Sequence, residues 1–336
     1  MKSGTVAWVV AALAVLLLAL APLDLTPYGV PFGGLRRYGI YILTLWLVTA
    51  IAAMGVNLIV GYAGQETLAQ AAFLGIGAYT TAILTKTGMP FGFAFLISGT
   101  GAFLVGIVLG FPALRVQKHY LAFVTLAFSV FVWLVIRNEE WLTGGVSGIS
   151  GIRRPVIFGV NLRPAANFYW FVMVMTAMMT FIMWWIVRSP WGRAFVALRE
   201  NPIRAESLGV DVRAYKLLAF AIGSAYGGLA GSLYAPLVEF IDPAPFALGP
   251  SLLFLLMVVV GGLGTLLGPF VGAAVAVLLP EWLRFAEGYY LLIYAALVMV
   301  MMAFCPTGIV GLVQRMFSSR PRPDDGQTPT LGEARS

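Results

Sequence analysis

The chain has 336 residues, of which 60% are hydrophobic and only 10% charged, and its mean hydropathy is +0.91. One soluble core of this length cannot hide so much apolar surface, so a water-soluble globular domain is excluded and lipid becomes the expected solvent. The formal net charge of +7 comes from basic residues in short connections between apolar runs and in the tail, which is a topology signal and not a nucleic-acid footprint.

A bilayer-spanning helix takes about 20 apolar residues. Runs of that kind recur at 5–22, 38–60, 66–86, 91–111, 119–136, 168–187, 217–236, 248–263, 266–284 and 289–305, which predicts an all-α integral membrane protein of about ten transmembrane helices. The first run, TVAWVVAALAVLLLALAP, is long and meets proline after its nearest approach to a cleavage site, so it reads as a retained span. Next comes a glycine-rich run, VNLIVGYAGQETLAQAAFLGIGAYTTAIL, in which Gln65 and Thr67 set neutral donors and acceptors in an apolar segment. Between them Glu66 is the acid that the span count places in or beside the membrane, where a carboxylate is costly. His119 opens a later run beside Lys118 as an interfacial residue.

Residues 137–167 are too rich in glycine to form a span, and a connection of this length is often functional. Its stretch LTGGVSGISGI holds Thr143, Gly144, Gly145, Ser147 and Gly148, where glycine permits irregular backbone. With Gln65, Glu66 and Thr67 these residues are the candidates for a substrate pathway.

The stretch 188–216 carries Arg188, Arg193, Arg199, Arg204, Arg213 and Lys216 against Glu200, Glu206 and Asp211. Burying its basic residues at the bilayer centre would cost on the order of 15 kcal/mol or more, which places it in the cytoplasm. Within it Asn201 is a favoured N-cap, Pro202 fits the first helical turn and Gly209 suits a left-handed stop, so a helix of about two turns is expected. So short a helix is marginal in water and calls for a docking surface; Ile203, Ala205 and Leu208 do not share one clean face.

Glycine recurs every fourth residue at Gly223, Gly227 and Gly231, and again at Gly264, Gly268 and Gly272, which predicts close approach of helix backbones. Cys305 ends the last run as a packed thiol, and no His, Cys or carboxylate cluster suggests a metal. The organisation is thus a membrane domain over 1–317 and a polar, proline-rich, disordered tail over 318–336. Counting crossings from 188–216 puts both termini in the cytoplasm and leaves Arg36 and Arg37 on the outer side.

No Gly-x-x-x-x-Gly-Lys-Ser/Thr cradle occurs, so the chain is not expected to be an ATPase or to need a cofactor of its own. Energy then comes from a partner ATPase or an ion gradient. An ion-coupled secondary transporter would relay charge through intramembrane carboxylates, for which Glu66 is the best candidate, while Glu139, Glu140, Glu239, Asp242 and Glu287 fall at span ends.

The stretch WGRAFVALRENPIRAESLGVDVRAYKLLAFAIGSAYGGLAGSLYA resembles the cytoplasmic coupling region of LivM-type permease subunits of branched-chain amino acid ABC transporters. The early glycine-rich run, HYLAFVTLAFSVFVWLVIRNEEWLTGGVSGISGI and MVVVGGLGTLLGPFVGAAV resemble three further segments of that family, and together these cover most of 40–280. Where many members read Ser-Leu-Gly-His, this chain has Thr67, Leu68, Ala69 and Gln70. The resemblance implies an ABC importer permease fold with inverted repeats in the inner membrane. It also implies a LivH-type permease partner, two nucleotide-binding ATPase subunits that bind the ATP, and a periplasmic or lipoprotein binding protein. Arg199, Glu200, Asn201, Pro202, Ala205 and Gly209 are then the ATPase-coupling residues. Branched-chain or other small neutral amino acids are the implied substrates, with urea or short amides as the alternative.

Overall fold

Runs without charge and with few helix breakers become helices, and their order follows the predicted spans. The computed structural model describes residues 36–113, 118–157 and 159–282, with positions 289, 293, 296, 299 and 308–311. The predicted span at 5–22, most of that at 289–305, Cys305, the tail and the side chains of Arg36, Arg37 and His119 lie outside the described residues.

Helix α1 (Arg36–Val56) continues into a π-helical turn (Asn57–Tyr62), and is followed by α2 (Gln70–Lys86), α3 (Phe91–Ala113) and α4 (Lys118–Asn138). After a one-turn α5 (Glu140–Thr143) come α6 (Ala165–Arg188), α7 (Pro190–Glu200), α8 (Pro202–Ser207), α9 (Val212–Val238), α10 (Leu248–Gly261) and α11 (Gly268–Trp282). Among the described residues five helices are long and apolar enough to cross a membrane, namely Tyr38–Tyr62, Phe91–Phe111, Leu121–Asn138, Ala165–Arg188 and Val212–Val238. Helices α10 and α11 are shorter and apolar.

The long α9 is the axis, with α1, α2 and α3 packed along it. Helix α2 runs parallel to α9, since Gly227 lies on Gln70 and Phe73 while Ser232 accepts from the Thr81 hydroxyl at 2.7 Å. Helix α3 runs the other way, Gly99 facing Leu229 and Gly110 facing Leu217. Helices α1 and α11 are antiparallel and tied by side chains: Tyr38 to Glu281 at 2.8 Å, Trp46 Nε1 to the Phe270 carbonyl at 2.9 Å and Asn57 Nδ2 to the Thr265 carbonyl at 2.8 Å. The end of the bundle that carries α7 and α8 holds the basic stretch 188–216 and is called the basic end. Gly308 abuts Gly262 in the α10–α11 turn, so the chain is at the basic end again by that residue.

Small residues set the spacing of the central helices. A Cβ on Gly231 would overlap the Leu74 carbonyl oxygen, and one on Gly77 would overlap that of Gly228. Gly223 and Gly227 likewise sit against α1 and α2, as the glycine spacing predicts. The second glycine series needs correction. Gly268 and Gly272 pack α11 on α10, but Gly264 belongs to the turn between them, with φ +71°, and is no part of a helical stripe.

Two further expectations change. The run at 66–86 becomes helical only at Gln70, because residues 64–69 form an irregular segment in which polar groups are bonded to neighbouring segments, Leu68 N to Thr125 Oγ1 at 3.0 Å among them. Glu66 is therefore outside a transmembrane helix, and it is exposed. The all-α expectation also omits two short ribbons at the far end, β1 (Ile149–Ser150) with β4 (Phe240–Ile241) and β2 (Val156–Ile157) with β3 (Val160–Asn161), both antiparallel. They satisfy backbone that the glycine-rich connection cannot coil into helix.

Candidate functional site: the arm at the basic end

The basic stretch folds into two helices where the sequence suggests one. Ser189 caps α7 by accepting from Trp191 N at 3.1 Å, and Pro190 takes the first turn. One face of α7, Gly192, Phe195 and Leu198, is buried, and the Phe195 ring meets Tyr215 of α9 edge-on at 6.2 Å. Sequence reasoning missed this helix. Its signals were the Ser-Pro start and the i, i+3 pair Phe195 and Leu198.

Helix α8 forms as the caps predict. Asn201 Oδ1 accepts from Arg204 N at 3.1 Å, Pro202 opens the turn and Gly209 ends the segment at φ +84°. Asp211 then caps α9 by accepting from the backbone of Arg213 and Ala214 at 3.0 and 3.1 Å. Ala205 is the residue α8 turns inward, 2% exposed, while Ile203 and Leu208 stand 79% and 81% exposed. Two large aliphatic side chains therefore project from a charged surface, next to exposed Glu200.

Arg199 is exposed as well, yet its head reaches back to the membrane helices. Its Nη1 donates to the carbonyl of Gly61, in the π-helical end of α1. Gln65, which is buried, donates to the Lys216 carbonyl at 3.0 Å and holds the irregular segment 64–69 to the start of α9. Asn57 was not singled out from the sequence; its carboxamide donates to Thr265 O at 2.8 Å and accepts from Gly264 N at 2.9 Å.

The candidate pathway residues fall into two groups that are not in contact. Gln65 and Thr67 are buried at the basic end, whereas Thr143 and Gly145 are buried at the far end, where Gly148 packs against Ile241. The stretch of α9 from Lys216 to Val238 separates them by roughly 33 Å at 1.5 Å per residue. Gly144, Gly145 and Gly148 all take positive φ, and Ser147 is exposed. Helix α4 joins the two groups: Thr125 accepts from Leu68 N near one end, Ser129 faces Ser251 at 3.3 Å, and Thr143 Oγ1 donates to Ile136 O at 2.6 Å near the other. Between α2 and α4 the far half opens into an apolar cleft of about 220 Å³ lined by Ile76, Tyr79, Ile83, Phe131, Val135 and Thr143.

Residues 38–305 match the family described as branched-chain amino acid transport system / permease component. The high-affinity branched-chain amino acid transport system permease protein LivM of Escherichia coli (strain K12) is 34% identical over 297 residues, covering 81% of this chain and 70% of that protein. A probable branched-chain amino acid transport permease protein LivM of Methanocaldococcus jannaschii is 26% identical, covering 65% of this chain and 67% of that one. The autoinducer 2 import system permease protein LsrC of Salmonella paratyphi B is 26% identical, covering 72% and 71%. No solved structure matches the chain. With four-fifths of its residues inside the family match and two apolar side chains raised from a capped helix at its basic end, the chain belongs to the permease components of the branched-chain amino acid transport system family.

Proposed function

We propose that this chain is a transmembrane subunit of a prokaryotic ABC importer that moves branched-chain or other small neutral amino acids through the inner membrane, driven by ATP hydrolysed on partner subunits. The observation that carries the reading is the α8 segment, which exposes Ile203 and Leu208 in the arginine-rich stretch 188–216, an apolar pair on a charged surface that suits docking of a protein partner. The partners are two ATPase subunits at the basic end, a LivH-type permease beside the chain and a binding protein at the far end. The concentration of arginine in 188–216 supports a cytoplasmic basic end, and a ten-span fold with inverted repeats and cytoplasmic termini accords with it. Substrate passes along the seam of α2 and α4, from Thr143–Gly148 past the apolar cleft to Gln65 and Thr67. An apolar lining with few hydroxyls suits aliphatic side chains better than urea or short amides.

The test is uptake by the reconstituted transporter in proton-leaky vesicles. Uptake of leucine that needs internal ATP and loaded binding protein supports the reading; uptake that follows an ion gradient without ATP overturns it. The purified chain alone is expected to hydrolyse no ATP above a mock preparation, because the sequence holds no phosphate-binding loop.

Glu66 separates the two transport classes. It is exposed in an irregular segment beside the basic end and not lodged in a helix of the bundle. Glu66→Gln is therefore expected to keep most ATP-driven uptake with an unchanged pH profile. Abolished uptake in an assembled complex would move this carboxylate to the centre of the mechanism and favour ion coupling.

A further inference from the structure

We infer that Arg199 is a positioning residue that latches the α7–α8 arm to two breaks in the membrane helices, the π-helical end of α1 and the α10–α11 turn, so that arm and breaks move as one body. The inference rests on the docking role of α8 and concerns what happens after docking.

Three observations converge on the latch. The guanidinium of Arg199 bonds the Gly61 carbonyl, a charge-assisted contact at the carbonyl-rich end of the α1 segment, where a cation is favoured. The stem of the same side chain fills the space above Gly64: a Cβ there would lie 3.0–3.1 Å from Cα, Cβ and Cγ of Arg199. Its head lies over Gly264, where a Cβ would come within 2.7 Å of Nη1. Gly61, Gly64 and Gly264 therefore form a seat shaped to one arginine, contributed by two segments far apart in the chain.

Asn57 binds the two segments to each other. Its amide nitrogen and oxygen engage Thr265 O and Gly264 N, so the α10–α11 turn is fixed to the first residue of the π-helical turn. A π-helical insertion and a turn with a left-handed glycine are local breaks in otherwise regular helices, and such places are where packed helices change register. The arm touches both through one side chain. A push on α8 transmitted through the end of α7 thus arrives at both breaks together, while Gln65, bonded to Lys216 O, ties the same loop to the start of α9.

Lysine is a poor replacement. It supplies a point charge that can reach Gly61 O, but it lacks the planar fork that lies over Gly264.

The experiment uses the assembled transporter with Cys305 replaced by serine. Spin labels go on cysteines substituted for Arg193, exposed on α7, and Leu263 in the turn, and their separation is measured without nucleotide and with ATP trapped. With Arg199 present the separation is expected to change by less than about 2 Å, the scale of a helix shift within a packed interface. In Arg199→Met the separation is expected to broaden and change between the two states. In the same variant without labels, stimulation of ATP hydrolysis by loaded binding protein is expected to fall about fivefold or more, the ATPase subunits still co-purifying, with Arg199→Lys intermediate. Full stimulation in Arg199→Met overturns the latch, as does a wild-type separation that changes on ATP trapping. Loss of ATPase recovery in Arg199→Met also overturns it, because the side chain would then act at the docking face. Failure of the docking reading is seen elsewhere, as undiminished ATPase recovery when Ile203 and Leu208 are replaced.

Discussion

Replacing Ile203 and Leu208 together by aspartate is expected to weaken capture of the ATPase subunits by the tagged permease about a hundredfold or more, with membrane insertion unchanged. Each side chain is about four-fifths exposed in the isolated chain, so neither contributes much to its fold. Full burial of an Ile or Leu side chain is worth about 1.5–3 kcal/mol, and two of them together account for that factor or more. Aspartate adds the desolvation of a charge wherever the partner surface is apolar. Ile203→Ala and Leu208→Ala singly should give intermediate losses. Arg193→Gln, on the exposed part of α7, should lower only the salt-sensitive part of association. Co-purification from detergent, followed by uptake in vesicles, reads both steps. Undiminished recovery of the ATPase together with normal uptake would leave the arm as a solvated topology element, and the proposed function would lose its main support.

The arm also marks the boundary of what the sequence makes legible. Asn201, Pro202 and Gly209 could be assigned as cap, first turn and stop because capping depends on groups within three or four residues, and the structure puts each in that role. The bond from Arg199 to Gly61 could not be read, since its acceptor lies 138 residues away in a segment that composition marks only as apolar. Helix α7 escaped for a different reason: its buried face is three residues wide, and the charges around it carry the signal of a loop.

The glycine series separate along the same line. Gly223, Gly227 and Gly231 lie on one uninterrupted helix, so spacing alone sets their common face. Gly264, Gly268 and Gly272 have the same spacing, but the helix begins only at Gly268, and Gly264 instead closes the seat of Arg199. Periodicity identifies a face only where the backbone is already regular. The two pathway groups were legible as polar and glycine-rich islands; their position at opposite ends of the bundle needed the direction of α4 and α9.

Gly231→Val is expected to abolish assembly of the bundle, with the protein lost from the membrane or recovered as aggregate. The α2 and α9 backbones meet at two places, Gly77 against Gly228 and Gly231 against Leu74, and in both a Cβ would lie only 2.0 Å from a carbonyl oxygen. A side chain swap in a core can be absorbed by rotamer changes, but here the obstacle is backbone, so the helices themselves must part. Parting them breaks the hydroxyl cluster of Thr81, Ser98 and Ser232, whose 2.7 Å contacts join α2, α3 and α9 in the interior. Overpacking of a well-filled core costs about 1–3 kcal/mol where neighbours can yield. With rigid backbone on the opposing side the cost lies at or above the upper end, a large share of the roughly 5–15 kcal/mol that holds a domain together. Gly101→Val is the control. That residue is also helical, within α3, but its Cβ would meet nothing within 4 Å, so normal expression and normal thermal stability are expected. Measuring size-exclusion profile and melting temperature of both variants in detergent tests the argument. A monodisperse Gly231→Val protein melting within a few degrees of the parent would show that α2 and α9 do not depend on this close approach, and that the central packing of the bundle rests on other contacts.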